Sequence, residues 1–136
     1  MTAAPDAIID NALGGWGSPE SAFPPDVRAA YTDALRGPER AHAICEEYRA
    51  AVSLDREHDR ADLQNGRRIV CPTLALWSAK GPLSTWYDGE GGPIELWRPW
   101  CDDVRGRAVD GGHFFPEEAP DETARLLAEF LAEPNG

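Results

Sequence analysis

The sequence predicts an α/β chain in two parts, helices first and then a strand–helix–strand–helix unit. Three stretches carry that prediction. "IVCPTLALW" (69–77) is a continuous apolar run of strand length, "VRGRAV" (104–109) is a second short β-prone run, and "PEEAPDETARLLAEFLAEP" (116–134) repeats its apolar residues at helical spacing. Strands that alternate with helices in this way pair in parallel and are covered by helices.

The elements follow in order. Residues 5–13 form a helix opened by Pro5, with Ile8, Ile9 and Leu13 on one face. "GGWGSP" (14–19) stops it. Its glycines follow no strand, so they make a turn around Trp16 and not a nucleotide loop. Pro24-Pro25 opens a helix over 25–36, with Val27, Tyr31 and Leu35 spaced at i, i+4 and i+8; Gly37 closes it. Pro38 starts a helix over 38–53 whose Ile44, Tyr48 and Val52 have core spacing. Residues 54–66 form a polar helix capped by Asp55 and closed by Asn65-Gly66. The strand of the apolar run is entered after Pro72, and its length and composition fit burial on both faces. Residues 81–93 are a long loop, 94–100 a short helix broken by Pro99, and 116–134 a terminal helix with a stripe of Leu126, Leu127, Phe130 and Leu131. Two strands leave open edges, so the implied sheet is larger than the one the chain contains.

Composition narrows the function. A chain of 136 residues can form one ordinary domain and bury roughly two-thirds of its unfolded surface. The net charge of −11, with scattered arginines, argues against a nucleic-acid partner, which needs a basic stripe. No stretch reaches the ~18 apolar residues of a membrane span, and "MTAAPDAIID" does not have the pattern of a signal peptide. Cys45, Cys71 and Cys101 lack ligand or disulfide spacing and are expected as reduced, mostly buried thiols in a cytoplasmic protein. His42 and His58 each have a carboxylate four residues on (Glu46, Asp62), but without a third ligand they predict no metal site. No cofactor is expected.

The candidate chemistry lies in "VDGGHFFPEEAP" (109–120). His113 follows a strand on the pair Gly111-Gly112, whose backbone freedom suits an acid/base histidine, and a helix begins just after it. Glu117 and Glu118 fall in the first turn of that helix, where carboxylates suit the macrodipole. Trp77, Trp97 and Trp100 read as packing residues, as does Trp86, although Trp86 and Tyr87 lie on a loop that could face a pocket. A general base needs something to activate, and the sequence has no G-x-D/S-x-G elbow to present a nucleophile.

The order of strand, loop, short helix, strand, Gly-His-Phe and amphipathic helix resembles the last third of an α/β-hydrolase, in which the catalytic histidine follows the last strand. "GGHFFPEEAPDETARLLAEFL" resembles the ending of the cap-bearing branch of that fold. "GWG", "HAICEEYRAAVSLDREHD", "CPTLALW" and "WCDDVRGRAV" extend the likeness, along nearly the whole chain, to the haloacetate (fluoroacetate) dehalogenases. The resemblance implies a partial α/β-hydrolase fold. Residues 1–66 would be a helical cap segment, and 67–136 the C-terminal part of the core, with its last two strands and helices. It implies that His113 is the general base and that Tyr48, in "CEEYRA", belongs to a halide pocket. In that family an aspartate nucleophile attacks the halogen-bearing carbon, and the histidine activates water to hydrolyse the aspartyl ester.

The family's elbow, its HG oxyanion segment, its carboxylate-binding arginines, its upstream acid aspartate and its His-Trp halide pair have no counterpart here, and Met1 falls just inside the cap. The expectation is therefore a C-terminal piece of a longer hydrolase, inactive alone, whose parent acts on a small-molecule substrate. Epoxide hydrolases resemble the chain too, but they carry an acid soon after the strand, where this sequence reads Lys80-Gly81-Pro82-Leu83 and Asp88 comes late. The alternatives are an epoxide or ester hydrolase of the same fold, or a non-catalytic binding module that pairs through its sheet edge, including as a homodimer.

Overall fold

In a computed structural model, which describes residues 4–15 and 18–133, the helices α1 (Pro5–Gly15), α2 (Pro25–Ala34), α3 (Pro38–Ala51) and α4 (Leu54–Gln64) come first. They are followed by β1 (Thr73–Ser78), α5 (Pro93–Trp97), β2 (Val104–Val109), α6 (Phe115–Glu118) and α7 (Pro120–Ala132). Among the described residues, five of the seven α-helices begin on a proline, whose fixed φ and missing N–H suit the first helical turn. The expected turn around Trp16 lies outside the described residues. The helix before it runs on to Gly15 and does not stop at Gly14.

β1 and β2 pair in parallel, from Thr73 opposite Val104 to Ser78 opposite Val109. Among the described residues they form the whole sheet. Gly106 is required by this pairing: a Cβ there would lie 1.8 Å from the Ala75 carbonyl oxygen. β2 alternates, with Arg105 and Arg107 exposed between Val104, Gly106 and Ala108. α7 is tied to that arginine face. The Arg105 guanidinium sits 4.9 Å from the Phe130 ring centre and pairs with Glu133, and Arg107 lies 3.9 Å from Glu122.

Several expectations need correction. The strand expected to be buried on both faces is only half-buried from Thr73 to Trp77, and among the described residues only one of its edges is paired. The terminal helix is broken at Ala119 (φ −134°, ψ 58°) because Pro120 excludes helical geometry from the residue before it. Its stripe is narrower than expected: Leu126 is buried, while Leu127 and Leu131 are exposed. Asp55 does not cap α4. Ser53 holds the cap position, and Asp55 lies in the first turn. Of the thiols only Cys101 is buried; Cys71 is exposed and Cys45 is intermediate. Trp86 and Trp97 are exposed and do not act as packing residues.

The principal cluster joins the two parts of the chain. Ile9, Leu13, Phe23 and Leu35 are buried together, with Tyr31, Ile44 and Phe114 packed against them. Phe114 follows β2 in sequence, yet its ring meets Phe23 edge-on at 5.5 Å and lies 6.4 Å from Tyr31. No helix among the described residues is long and apolar enough to cross a membrane.

Candidate active-site loop

β2 delivers the chain into the loop 110–114. The first turns of this loop are held by β1 and the residues after it. Ala79 N–H donates to the Val109 carbonyl at 2.8 Å, and the Ser78 hydroxyl donates to the Gly111 carbonyl at 2.6 Å. Lys80 N–H reaches the same Gly111 carbonyl at 3.3 Å, and its ammonium lies 2.9 Å from Asp110. The Asp110 carboxylate, through hydrogen bonding and charge, raises the Lys80 pKa. Gly111 is required by close packing, since a Cβ there would meet that of Phe115 at 2.9 Å. Gly111 and Gly112 are buried; His113 is exposed, with its ring edge-on to Phe114 at 4.9 Å.

The carboxylates after the histidine do more than the macrodipole reading expects. Glu117 accepts a hydrogen bond from the Tyr31 hydroxyl. Glu118 accepts one from the Ser18 hydroxyl on one oxygen and one from the Gly112 N–H, at 2.8 Å, on the other. The Tyr31 pKa is pushed up to about 12, first by its hydrogen bond to Glu117, then by burial and by the Glu117 charge. An open cleft of about 560 Å³ lies between the helical part and the loop, with Pro19, Ser21, Lys80, Asp110, Glu117 and Glu118 on its walls. A second cleft, of about 660 Å³, is lined by Tyr87, Trp97 and Trp100 beside Arg67 and Arg68. Arg68 makes four hydrogen bonds there, donating to the carbonyls of Arg98, Pro99 and Cys101 and to Asp102.

Tyr48 is not gathered into this arrangement. Its ring is 73% exposed on α3, and the core spacing expected for Ile44, Tyr48 and Val52 holds only for Ile44. His42 faces Glu46 at 3.7 Å on an exposed helix surface, and no group of three metal-ligating side chains occurs among the described residues. The structure thus presents His113 on a braced loop and supplies bracing residues, Glu117 and Glu118, that sequence reasoning did not connect to it.

The fold that presents this loop is shared with known proteins. A protein of Nostoc sp. PCC 7120 assigned to the α/β hydrolases superposes with a TM-score of 0.88 at 39% identity, over 98% of this chain and 44% of that one. The chain carries a partial α/β-hydrolase fold. Fluoroacetate dehalogenase of a Burkholderia species is 34% identical over 132 residues, which is 96% of this chain and 41% of the relative. A Pseudomonas aeruginosa protein assigned as an epoxide hydrolase, solved as a point variant with bound MFA, gives a TM-score of 0.83 at 36% identity, over 96% of this chain and 43% of that one. The chain therefore spans less than half the length of these relatives. No protein-family model matches it.

Proposed function

We propose that the chain is the cap-and-last-strands part of a haloacetate dehalogenase-like hydrolase, with His113 as its general base. The observation that carries this reading is the position of His113. It stands exposed on a loop fixed to β1 by backbone and Ser78 hydrogen bonds, in a chain that resembles fluoroacetate dehalogenase along 96% of its length. A base must be held within reach of a water molecule while keeping its imidazole accessible.

In the proposed reaction a carboxylate oxygen of an aspartate attacks the halogen-bearing carbon of a short 2-halo acid. The carbon–oxygen bond forms as the carbon–halogen bond breaks, and halide leaves with the bonding electrons. His113 then takes a proton from water, and the hydroxide adds to the ester carbonyl. Collapse breaks the bond between the acyl carbon and the substrate oxygen and releases the 2-hydroxy acid, whose oxygen takes the proton held by His113, while the second proton of the water passes to solvent as the aspartate returns to its carboxylate. This chain contributes the histidine and the helical segment. Tyr48 is proposed for the halide pocket, which would have to be completed by chain beyond these residues, since the ring is exposed here. With no elbow nucleophile among its 136 residues, the chain alone is inactive in this reading.

The experiment is halide release from fluoroacetate and chloroacetate. The 136-residue chain should release none. Supplied with an upstream segment bearing an elbow aspartate, it should release halide, and His113→Ala should stall the reaction at the aspartyl ester, visible by intact-protein mass. The likeness to the Pseudomonas protein supports a second reading, an epoxide hydrolase using the same histidine, and epoxide opening by the completed enzyme would decide for it. We place the protein in the cytoplasm on its cysteine usage, with a small molecule as substrate and an open sheet edge that allows a homodimer.

A further inference from the structure

The peptide joining Gly111 to Gly112 is held at both ends. Its carbonyl oxygen accepts the Ser78 hydroxyl at 2.6 Å, and its N–H donates to Glu118 Oε2 at 2.8 Å. The other oxygen of that carboxylate takes the Ser18 hydroxyl, which reaches across from the segment between α1 and α2. Two adjacent glycines would otherwise sample a wide range of backbone angles, and the direction in which His113 leaves the loop would vary with them. Gly112 is buried, so its N–H needs a protein partner.

We infer that Glu118 is a positioning residue for His113. By fixing the plane of the Gly111–Gly112 peptide it sets the direction of the histidine, and through Ser18 it couples that direction to the helical part of the chain. The inference rests on the proposed role of His113. Its test reads placement and not turnover, so either can fail without the other.

The test is solution NMR on the 136-residue chain. In Glu118→Ala the Gly112 amide should exchange about tenfold faster or more, as expected for the loss of a hydrogen bond to a charged acceptor. The His113 ring resonances should shift, while the Val109 amide is unchanged. Glu118→Gln should restore both signals, because its amide oxygen can accept from Gly112 while its NH₂ donates to Ser18. Glu117→Gln should leave Gly112 alone. A second measurement needs no variant: the Gly112 amide shift should follow the titration of the Glu118 side-chain carboxyl carbon. An amide shift that ignores that titration overturns the inference. So does a folded Glu118→Ala with unchanged Gly112 and His113 signals, or a Glu118→Gln that fails to restore them.

Discussion

The helical part of the chain contains two pairs of helices that are packed in very different ways. α1 and α2, with the turn between them, bury Ile9, Leu13, Phe23 and Thr32 and close over Phe114 from the His113 loop. α3 and α4 bury only Ala41 between them and leave Tyr48, Val52, Leu54 and Leu63 exposed. α4 is polar, but α1, α2 and α3 all carry apolar residues at helical spacing, so periodicity does not tell α3 from the first pair. What separates them is a partner: the first pair closes on the loop after β2, whereas the second pair reaches that cluster only through the partly buried Ile44 of α3. The segment expected to be a helical cap is therefore tied to the candidate active-site loop chiefly through one pair of its helices.

The largest break in this contrast should come from Phe114→Ala. It removes an aromatic ring from the contact with Phe23 and Tyr31, and should cost about 3 kcal/mol, at the low end for an aromatic truncation because Phe114 is only partly buried. Chemical denaturation would measure it, and a loss below about 1 kcal/mol would mean that α1 and α2 do not depend on the loop.

Tyr31→Phe should cost less, about 1 kcal/mol, because it deletes only the hydrogen bond to Glu117. It also has a pH signature. The folded-state pKa of Tyr31 is raised to about 12 from an ordinary 10.0, so the fold favours the protonated phenol. That contribution is fully present below pH 10.0 and is lost as pH rises towards about 12. Ultraviolet titration of the native chain should show a phenolate step near pH 12 that Tyr31→Phe removes.

Thr32→Val tests the same packed region with the opposite sign. The Thr32 hydroxyl is buried and finds no hydrogen-bond partner among the described residues, so replacing it with a methyl group should stabilise the chain by up to about 1 kcal/mol. Thermal or chemical unfolding of the variant would register the gain. The smallest effect is expected on the other pair of helices. Tyr48→Ala on exposed α3 should change the stability of this chain by less than about 0.5 kcal/mol. A larger loss would show that α3 packs in solution on something its exposed face does not reveal.

Much of the architecture was legible because it is written locally. Pro5, Pro25 and Pro38 start helices, and the β-branched, apolar runs after Pro72 and Asp103 become the paired strands. The break at Ala119 was equally local, set by Pro120, but the apolar stripe beyond it favours reading a single helix. The bracing of the loop was not local. Ser18 and Glu118 are 100 residues apart, and Tyr31 and Glu117 are 86 apart. Two glutamates in a first helical turn look like dipole complements, and nothing in their neighbours announces distant hydroxyls. The core spacing read for Tyr48 failed in the opposite direction: i, i+4 spacing identifies a helix face but not whether anything covers it.

The proposed chemistry assigns His113 the work of a base for an elbow nucleophile that the 136-residue sequence does not contain. Halide release from fluoroacetate, measured together with intact-protein mass, tests this most directly. The expected result is no release by the 136-residue chain alone and steady release when an upstream segment with an elbow aspartate is supplied. With His113→Ala a single stoichiometric burst should leave the aspartyl ester on the protein. Undiminished steady turnover by the His113→Ala protein, or halide release by the 136-residue chain on its own, would contradict it.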